Sequence, residues 1–501
     1  MAKQVGKSKR VKEFDIANLT GGMDIATDPF FLYKDATCAQ LIENMEFDSE
    51  GERLMSRRGL GSPIQTFDSN IRYIWYDYGM NDYLIFLENK NVYKYEYGGT
   101  PSLIGVINGD LTHNPQITRY TNANGTYLLI ASGGTLQYYE YSGTSISTDS
   151  SYPLIDGIME RFTRMLVYES STNNIKYSGV ADPFNWTENS NDASAMKDLD
   201  VGDVSPVVGI YPLADVIIVF KENGRIYKIA NEPEDWNVSL VGTDSDFVSR
   251  DSMTNFEEDV VFFSRQGLRS LATTETYGDF TTAEVGEKMN PEMKKDYSSS
   301  YMVKDLRTNQ LFINPNRGST VYVYHYRLKA FTKWTFPQPV ITIAPAIDKT
   351  LVGIGKEMFN LSAENNSDII GGEETPIHQK IVSSILSDLN IMTLYRSHLM
   401  VTSDSAGSAT LTVNDTTWTW PWTADEQRQE FKTQIRKNQM LFTFETDDII
   451  TFHYWIAVIV QQYVAMTATQ SSDSSTSWGS GKWGQGTFGG VTNGTGGSPY
   501  G

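Results

Sequence analysis

The chain has 501 residues, 40% hydrophobic and 12% aromatic, which is room for about three average domains or for one large repeat-built domain with appendages. Its formal net charge is −20, from 61 Asp and Glu against 41 Lys and Arg; this excludes a surface-wide groove gripping nucleic acid, because neutralising phosphates takes clustered basic residues. Cys38 stands alone and excludes both an intrachain disulfide and a cysteine-built metal site.

Residues 1–12 form a basic arm carrying Lys3, Lys7, Lys9, Arg10 and Lys12, read either as a solvated tail or as a contact to a neighbouring protein or DNA. Residues 13–60 are rich in turn formers and show few regular signals.

From residue 61 to 372 one pattern returns. A short apolar strand is followed by a polar turn and a second, alternating strand, at 83–95, 127–139, 164–178, 216–229, 260–271, 311–324 and 351–361. Taking Leu84, Leu128, Leu166, Ile217, Val261, Leu311 and Val352 as equivalent points, the steps run from 38 to 51 residues. That matches a four-stranded propeller blade of roughly 40 to 50 residues. The first strand of each pair is almost continuously apolar, as expected with neighbours on both faces, whereas the second alternates, as expected nearer a rim. Such sheets cannot bury their faces singly but can when packed radially. The fold expected is all-β: a β-propeller of six or seven blades, with a large β-sandwich or a solenoid as the competing architectures.

Residues 373–470 read as a separate small β-sandwich-like domain. A short helix is expected over 376–389, where Ile377, Ile381, Ile385 and Leu389 recur every four residues, followed by strands at 398–402, 409–413, 417–420, 440–445 and 449–466. Residues 471–501 form a Gly/Ser-rich tail with Trp478, Trp483 and Phe488 five residues apart. Five is neither the strand nor the helix period, so these rings do not mark one face of a regular element; they read as pegs for pockets on a neighbouring subunit, or as incidental aromatics of a loose tail. No stretch approaches the roughly 20 apolar residues of a spanning helix, and no apolar leader opens the chain, so a soluble product of the cytoplasm without membrane insertion is expected.

Signals of chemistry are sparse. His113, His325, His378, His398 and His453 are scattered, and no metalloprotease, nucleophile-elbow, P-loop or dinucleotide-binding motif occurs. Asp198, Asp200 and Asp203 resemble half of a calcium loop but lack its ladder and closing Glu. No cofactor, no metal and no catalytic residue is assigned, and an enzyme is not expected. Carboxylate pairs suited to glycoside hydrolysis are judged by distance rather than by sequence, which keeps a propeller hydrolase, and a receptor- or glycan-binding propeller, as alternatives.

The opening segment carries the most specific pattern. Gly21, Gly22, Met23 and Asp24, then Asp28, Pro29, Phe30 and Phe31, then Leu41, Ile42, Glu43 and Asn44, then Arg57, Arg58 and Gly59 follow one another in order. This series resembles the start of the tail hub, or nozzle, proteins of short-tailed bacteriophages, also called packaged-DNA stabilisation proteins. Further pieces of the same kind are residues 175–178 with 182–186, 216–227 and 260–271, so the resemblance covers scattered stretches of residues 13–370. It implies a structural virion protein in the phage tail, synthesised in the host bacterial cytoplasm. It further implies a homohexameric ring below the portal and its adaptor ring, which continues the DNA channel, helps retain the packaged genome, passes DNA without specific binding, and meets tailspike or tail needle proteins. Under that reading Trp478, Trp483 and Phe488 are inter-subunit contacts, and Lys3, Lys7, Lys9, Arg10 and Lys12 touch the adaptor or DNA.

Overall fold

A computed structural model describes residues 9–15, 19–32, 37–169, 171–187, 195–198, 203–232, 235–243, 250–256, 259–273, 280–295 and 299–462. Seven sets of four antiparallel strands follow one another along the chain, six as separate sheets and the sixth blade as the first four strands of a larger sheet; the first six are laid down from the axis outward. Blade 1 comprises Ile71–Asp77, Asp82–Leu87, Asn91–Glu96 and Ser102–Val106. Blade 2 comprises Gln116–Asn122, Gly125–Ala131, Gln137–Glu140 and Ile146–Thr148. Blade 3 follows with Gly157–Arg161, Arg164–Tyr168, Asn174–Tyr177 and Ala195–Asp198. Blade 4 uses Val207–Leu213, Val216–Lys221, Arg225–Ala230 and Asn237–Thr243. Blade 5 uses Met253–Phe256, Asp259–Ser264, Gly267–Thr273 and Phe280–Glu284. Blade 6 is built from Tyr301–Asp305, Gln310–Asn314, Thr320–His325 and Ala330–Thr335. The protein is thus an all-β, seven-bladed propeller with an additional sheet region.

Blade 7 closes the ring. Its first three strands, Thr342–Pro345, Thr350–Ile354 and Glu357–Asn360, are local, but its outer strand is Gln65–Thr66, from ahead of blade 1, paired Glu357 to Thr66 and Met358 to Gln65. The two ends of the propeller are therefore tied through one sheet, and no open blade edge is left between them.

The second strand of every blade explains the hydrophobic runs in the sequence. Successive side chains leave it on opposite faces, and each face packs on a different neighbouring blade. Leu84 and Phe86 meet Leu128 and Ile130 of blade 2, whereas Ile85 and Leu87 meet Leu351 of blade 7. The same alternation continues around the ring: Leu129 with Val167, Leu166 with Ile217, Ile218 with Phe262, Phe263 with Leu311, and Phe312 with Val352. A polar residue on either face of such a strand would be buried, so both faces are apolar.

The second sheet region grows from blade 6. Its outer strand Ala330–Thr335 meets Leu41–Glu43 in a parallel step. The sheet then runs on through Gln379–Val382, Phe442–Thr446, Gly407–Val413 and Thr416–Trp422, nine strands in all. A second sheet of Asp425–Met440, Leu386–Ser403, Thr451–Gln462, Leu54–Ser56 and Met45–Phe47, with Lys9–Asp15 also paired to Thr451–Gln462, covers it. The two layers meet through Phe442 on Trp455 (5.5 Å between ring centres) and Phe444 on Phe452 (5.4 Å), within a core that continues into blades 5 and 6.

The helix expected over 376–389 does not form. Gln379–Val382 is a strand between Leu41–Glu43 and Phe442–Thr446, and Leu386 begins the next one. Ile377, Gln379, Ile381 and Ser383 are buried while His378 is exposed. A four-residue spacing is a multiple of two as well as close to one helical turn, and the tertiary surroundings select the strand.

Candidate functional site

The residues of the opening series converge on the seam between blade 6 and the second sheet region. Gly22, at φ +69°, passes so close to blade 6 that a Cβ there would lie 2.6 Å from the Phe331 nitrogen, hence glycine. Asp24 folds the next turn by accepting the amides of Ala26 (3.1 Å) and Thr27 (2.9 Å) and the Thr27 hydroxyl (2.9 Å). Asn44 adopts a left-handed conformation, φ 55°, which Asn tolerates. Its amide donates to the His378 carbonyl (2.8 Å), and its Oδ1 accepts the Thr335 amide (2.8 Å) and Arg57 Nε (3.0 Å).

Arg57 is the centre of this clasp. It is 2% exposed, lies 4.4 Å over the Phe336 ring, donates to the Thr335 carbonyl (3.1 Å), and grips both carboxylate oxygens of Asp368, itself 1% exposed. Asp368 also accepts the Leu60 amide (3.1 Å), so both oxygens of the buried charge are hydrogen-bonded. Gly59 is pressed between the carbonyls of Asn365 and Ser367, 2.6 and 2.7 Å from where a Cβ would stand. Alongside, Lys333 Nζ (2.9 Å) and the Thr335 hydroxyl (2.7 Å) meet Glu43; burial opposes ionisation there, but these hydrogen bonds and the lysine charge hold its carboxyl below the ordinary range.

A cleft of about 590 Å³ beside the clasp holds two more arginines. Arg58 (3.4 Å) and Arg307 (3.1 Å) both approach the Thr350 hydroxyl, but Glu46 neutralises the first and Asp305 the second.

The propeller axis has a closed end and an open end. At the starts of the inner strands, Asp251 accepts the Asn114 amide (3.0 and 3.1 Å) and Arg317 Nη2 (3.0 Å), with His113 at 3.8 Å. Arg250 reaches Asp156 (3.3 Å) and the Asn114 carbonyl (3.2 Å), and Arg317 donates to Asn114 Oδ1 (2.7 Å) and the Ile341 carbonyl (2.8 Å). Burial opposes the Asp251 charge, yet the His113 contact and the two guanidiniums keep its carboxyl below the usual range. Beyond this plug lies a cavity of about 380 Å³ lined by inner-strand residues of all seven blades.

Among the other sequence candidates, Trp478, Trp483 and Phe488 lie outside the described residues, as do Lys3 and Lys7. Lys9, Arg10 and Lys12 fall on the strand Lys9–Asp15, in register with Gln462, Gln461 and Ile459. In the acidic cluster, Asp203 is buried and already paired, with Lys221 Nζ at 3.2 Å, Asn223 at 3.0 Å and the Tyr227 hydroxyl at 3.0 Å. Burial works against its charge, but these contacts and the Ser205 amide hold its pKa down at about 2.

The histidines stay apart: His325 on the Asp48 carbonyl (3.1 Å), His378 on Asp447 (2.7 Å), His453 on Thr402 (2.8 Å). Among the described residues no three His, Cys, Asp or Glu side chains gather as a metal would require, and no helix is long and apolar enough to cross a membrane. Asp77 and Asp82 are a buried cross-strand carboxylate pair, but Arg119 (3.9 Å) and Lys94 (2.9 Å) answer them, and neither lines the axial cavity. Sequence reasoning singled out Glu43, Asn44, Arg57 and Gly59 of the clasp through their ordered motifs but not their partner Asp368; it missed the axial plug, whose members come from distant turns with no shared local pattern.

No family model and no curated protein matches the sequence. Among solved structures, the chain is similar to the β-propeller domain of Myceliophteria thermophila Cps50 (Swd1), at 9% identity and a TM-score of 0.43 over 61% of this chain and 98% of that one. It is also similar to the computationally designed Ika8 protein, at 8% identity and 0.37 over 61% and 100%. A third is U3-55K, at 11% identity and 0.41 over 60% and 98%.

Proposed function

We propose that the chain is a structural virion protein, the nozzle or hub subunit of a short phage tail, working as a homohexameric ring that continues the DNA channel below the portal and adaptor. The observation that carries this reading is the use made of the opening motif series. Asn44, Arg57 and Gly59 are spent on joining propeller to second sheet region through buried contacts, and none of them presents a reactive group to a cavity. A motif whose residues build a rigid junction suits a part that transmits position between neighbours in an assembly.

The net charge of −20 fits the role in one respect. A wall that must pass a polyanion should repel it over about a Debye length, so that DNA slides without sticking. The propeller axis is not that channel in this reading, because the Arg250, Asp251 and Arg317 plug closes it; the DNA path is the space enclosed by the ring of subunits.

The test is assembly. The purified chain, mixed with the portal and adaptor complex of the same phage, is expected to load six copies per particle by native mass spectrometry or particle imaging. Failure to load, with tight binding to a cell-surface glycan instead, would replace this reading by the receptor-binding one.

A further inference from the structure

The open end of the axis gathers exposed apolar side chains on adjacent turns. Among the described residues, the turns between first and second strands lie on this face, opposite the plug. In blades 6, 7 and 1, which are adjacent, these turns display Leu306 (54% exposed), Ile347 (60%), and Tyr78 and Met80 (58% and 43%). The corresponding turns of blades 2 and 4 carry only Ala123 and Asn124, and Ala214 and Asp215. The three tips are neighbours in space: Tyr76 reaches the backbone of Ile347, and Tyr78 senses the charges of Asp305 and Arg307 beside Leu306. Large apolar side chains held in water on three consecutive turns form a patch of the kind that marks an interaction surface.

The patch rims the axial cavity, since Tyr78 belongs to both. Inside stands Lys304, on the innermost strand of blade 6. Among the described residues it has no ion-pair or hydrogen-bond partner, and its burial, uncompensated by any carboxylate, lowers its pKa. The acid that the cavity does contain, Asp251, is engaged at the far end by Arg250, Arg317 and His113. A rim carrying exposed apolar side chains around a cavity with, among the described residues, an unpaired half-buried ammonium has a defined complement: an apolar or aromatic side chain with a carboxylate next to it.

We propose that this end of the propeller is a docking site for a peptide segment of another protein. The segment seats an aromatic side chain between the turns of blades 6, 7 and 1 and places a flanking carboxylate on Lys304. The site uses none of the clasp residues, though its rim adjoins the neighbouring cleft through Asp348 and Arg307, and it does not depend on the virion reading. A tight protein contact would be completed by the polar groups around the rim, such as Asp348 and Arg307, in keeping with the usual arrangement of an apolar centre and polar margin.

The test uses the full chain and three fluorescein-labelled synthetic peptides of one length, with Asp-Trp-Asp, Lys-Trp-Lys and Asp-Gly-Asp at their centres, followed by anisotropy. The acidic aromatic peptide is expected to bind about tenfold or more tightly than either control, a difference matching one charge-assisted contact or one buried ring. Lys304→Met and Ile347→Asp should each remove that preference. Leu103→Asp, a similarly exposed position on the outer strand of blade 1, should leave it intact. Ile347 is on the surface, so circular dichroism and melting of the Ile347→Asp protein should match the parent. Equal binding of all three peptides, no binding, or indifference to Lys304→Met would overturn the proposal. So would a dimer of the chain that Ile347→Asp dissolves, because the occupant would then be a second copy.

Discussion

Arg57 and Asp368, 311 residues apart in sequence, form a buried ion pair that locks the start of the chain onto the strand pair following blade 7. A buried pair of this kind need not be more stable than apolar residues of the same shape, but losing one partner strands the other charge. Arg57→Ala is therefore expected to destabilise the fold by about 3–5 kcal/mol, read from urea unfolding. The double change Arg57→Met with Asp368→Leu should recover much of that loss. A single-variant loss below about 1 kcal/mol, the range of a surface pair, would show that the clasp does not hold the two parts together.

A second buried charge sits in blade 4. Lys221, fully buried, donates to the Asp203 carbonyl (2.7 Å) and faces its carboxylate (3.2 Å). The Asp203 carboxyl titrates at about 2 in the folded chain, below its ordinary value near 4. The unfolded state thus takes up the proton first as pH falls. The stabilisation is fully present above about pH 4 and drains away as the medium approaches pH 2. Asp203→Asn should flatten that portion of the acid limb in urea midpoints measured between pH 6 and 2. Lys221→Ala, leaving Asp203 without its buried counter-charge, should cost about 3–5 kcal/mol at neutral pH. An unchanged acid limb in Asp203→Asn would remove Asp203 as its source.

The parts of this architecture that sequence could disclose are those in which local pattern and burial coincide. The second strand of each blade, such as Ile217 to Phe220, is apolar on both faces because two blades clasp it, and seven such strands with their partners gave the repeat. The outer strand of blade 7 was invisible, because Gln65 and Thr66 become a strand only when Glu357 and Met358 arrive beside them. Asp425–Met440 was missed for a different reason: it is the edge of its sheet, and its exposed Arg428, Glu430 and Lys432 give no apolar alternation to read. The clasp was half legible. Asn44 and Arg57 stand in a recognisable order, but nothing near Asp368 announces it as their partner.

The axial plug makes a third prediction. Asp251 is the shared counter-charge of two buried guanidiniums, Arg250 (3.9 Å) and Arg317 (3.0 Å). Asp251→Ala should both lower the melting temperature and loosen the turn ahead of blade 2. The Asn114 amide donates to both Asp251 oxygens, so its hydrogen exchange should accelerate markedly, while amides in the second strand of blade 3, such as Leu166, keep their protection. Arg317→Met placed on the Asp251→Ala background should recover part of the melting temperature by removing one of the two buried charges left without it. Unaltered exchange at Asn114 would mean that the plug is incidental to closure of the axis.

The last prediction concerns Trp478, Trp483 and Phe488, in a tail that follows the strand Thr451–Gln462. Aromatic rings spaced five apart among Gly and Ser have no regular element to bury them together, and buried aromatic anchors dominate the energetics of most protein contacts. If they seat on a neighbouring subunit, changing all three to Ala should weaken loading of the chain onto the adaptor ring by at least about tenfold, since each lost ring is worth on the order of 1–2 kcal/mol or more. The propeller's melting temperature should stay where it was, because the described residues by themselves supply seven well-filled apolar clusters. Particle counts by native mass spectrometry separate the two effects. Loading at parental strength would assign these rings no part in assembly, and a fall in melting temperature together with loading would place them inside the subunit's own fold.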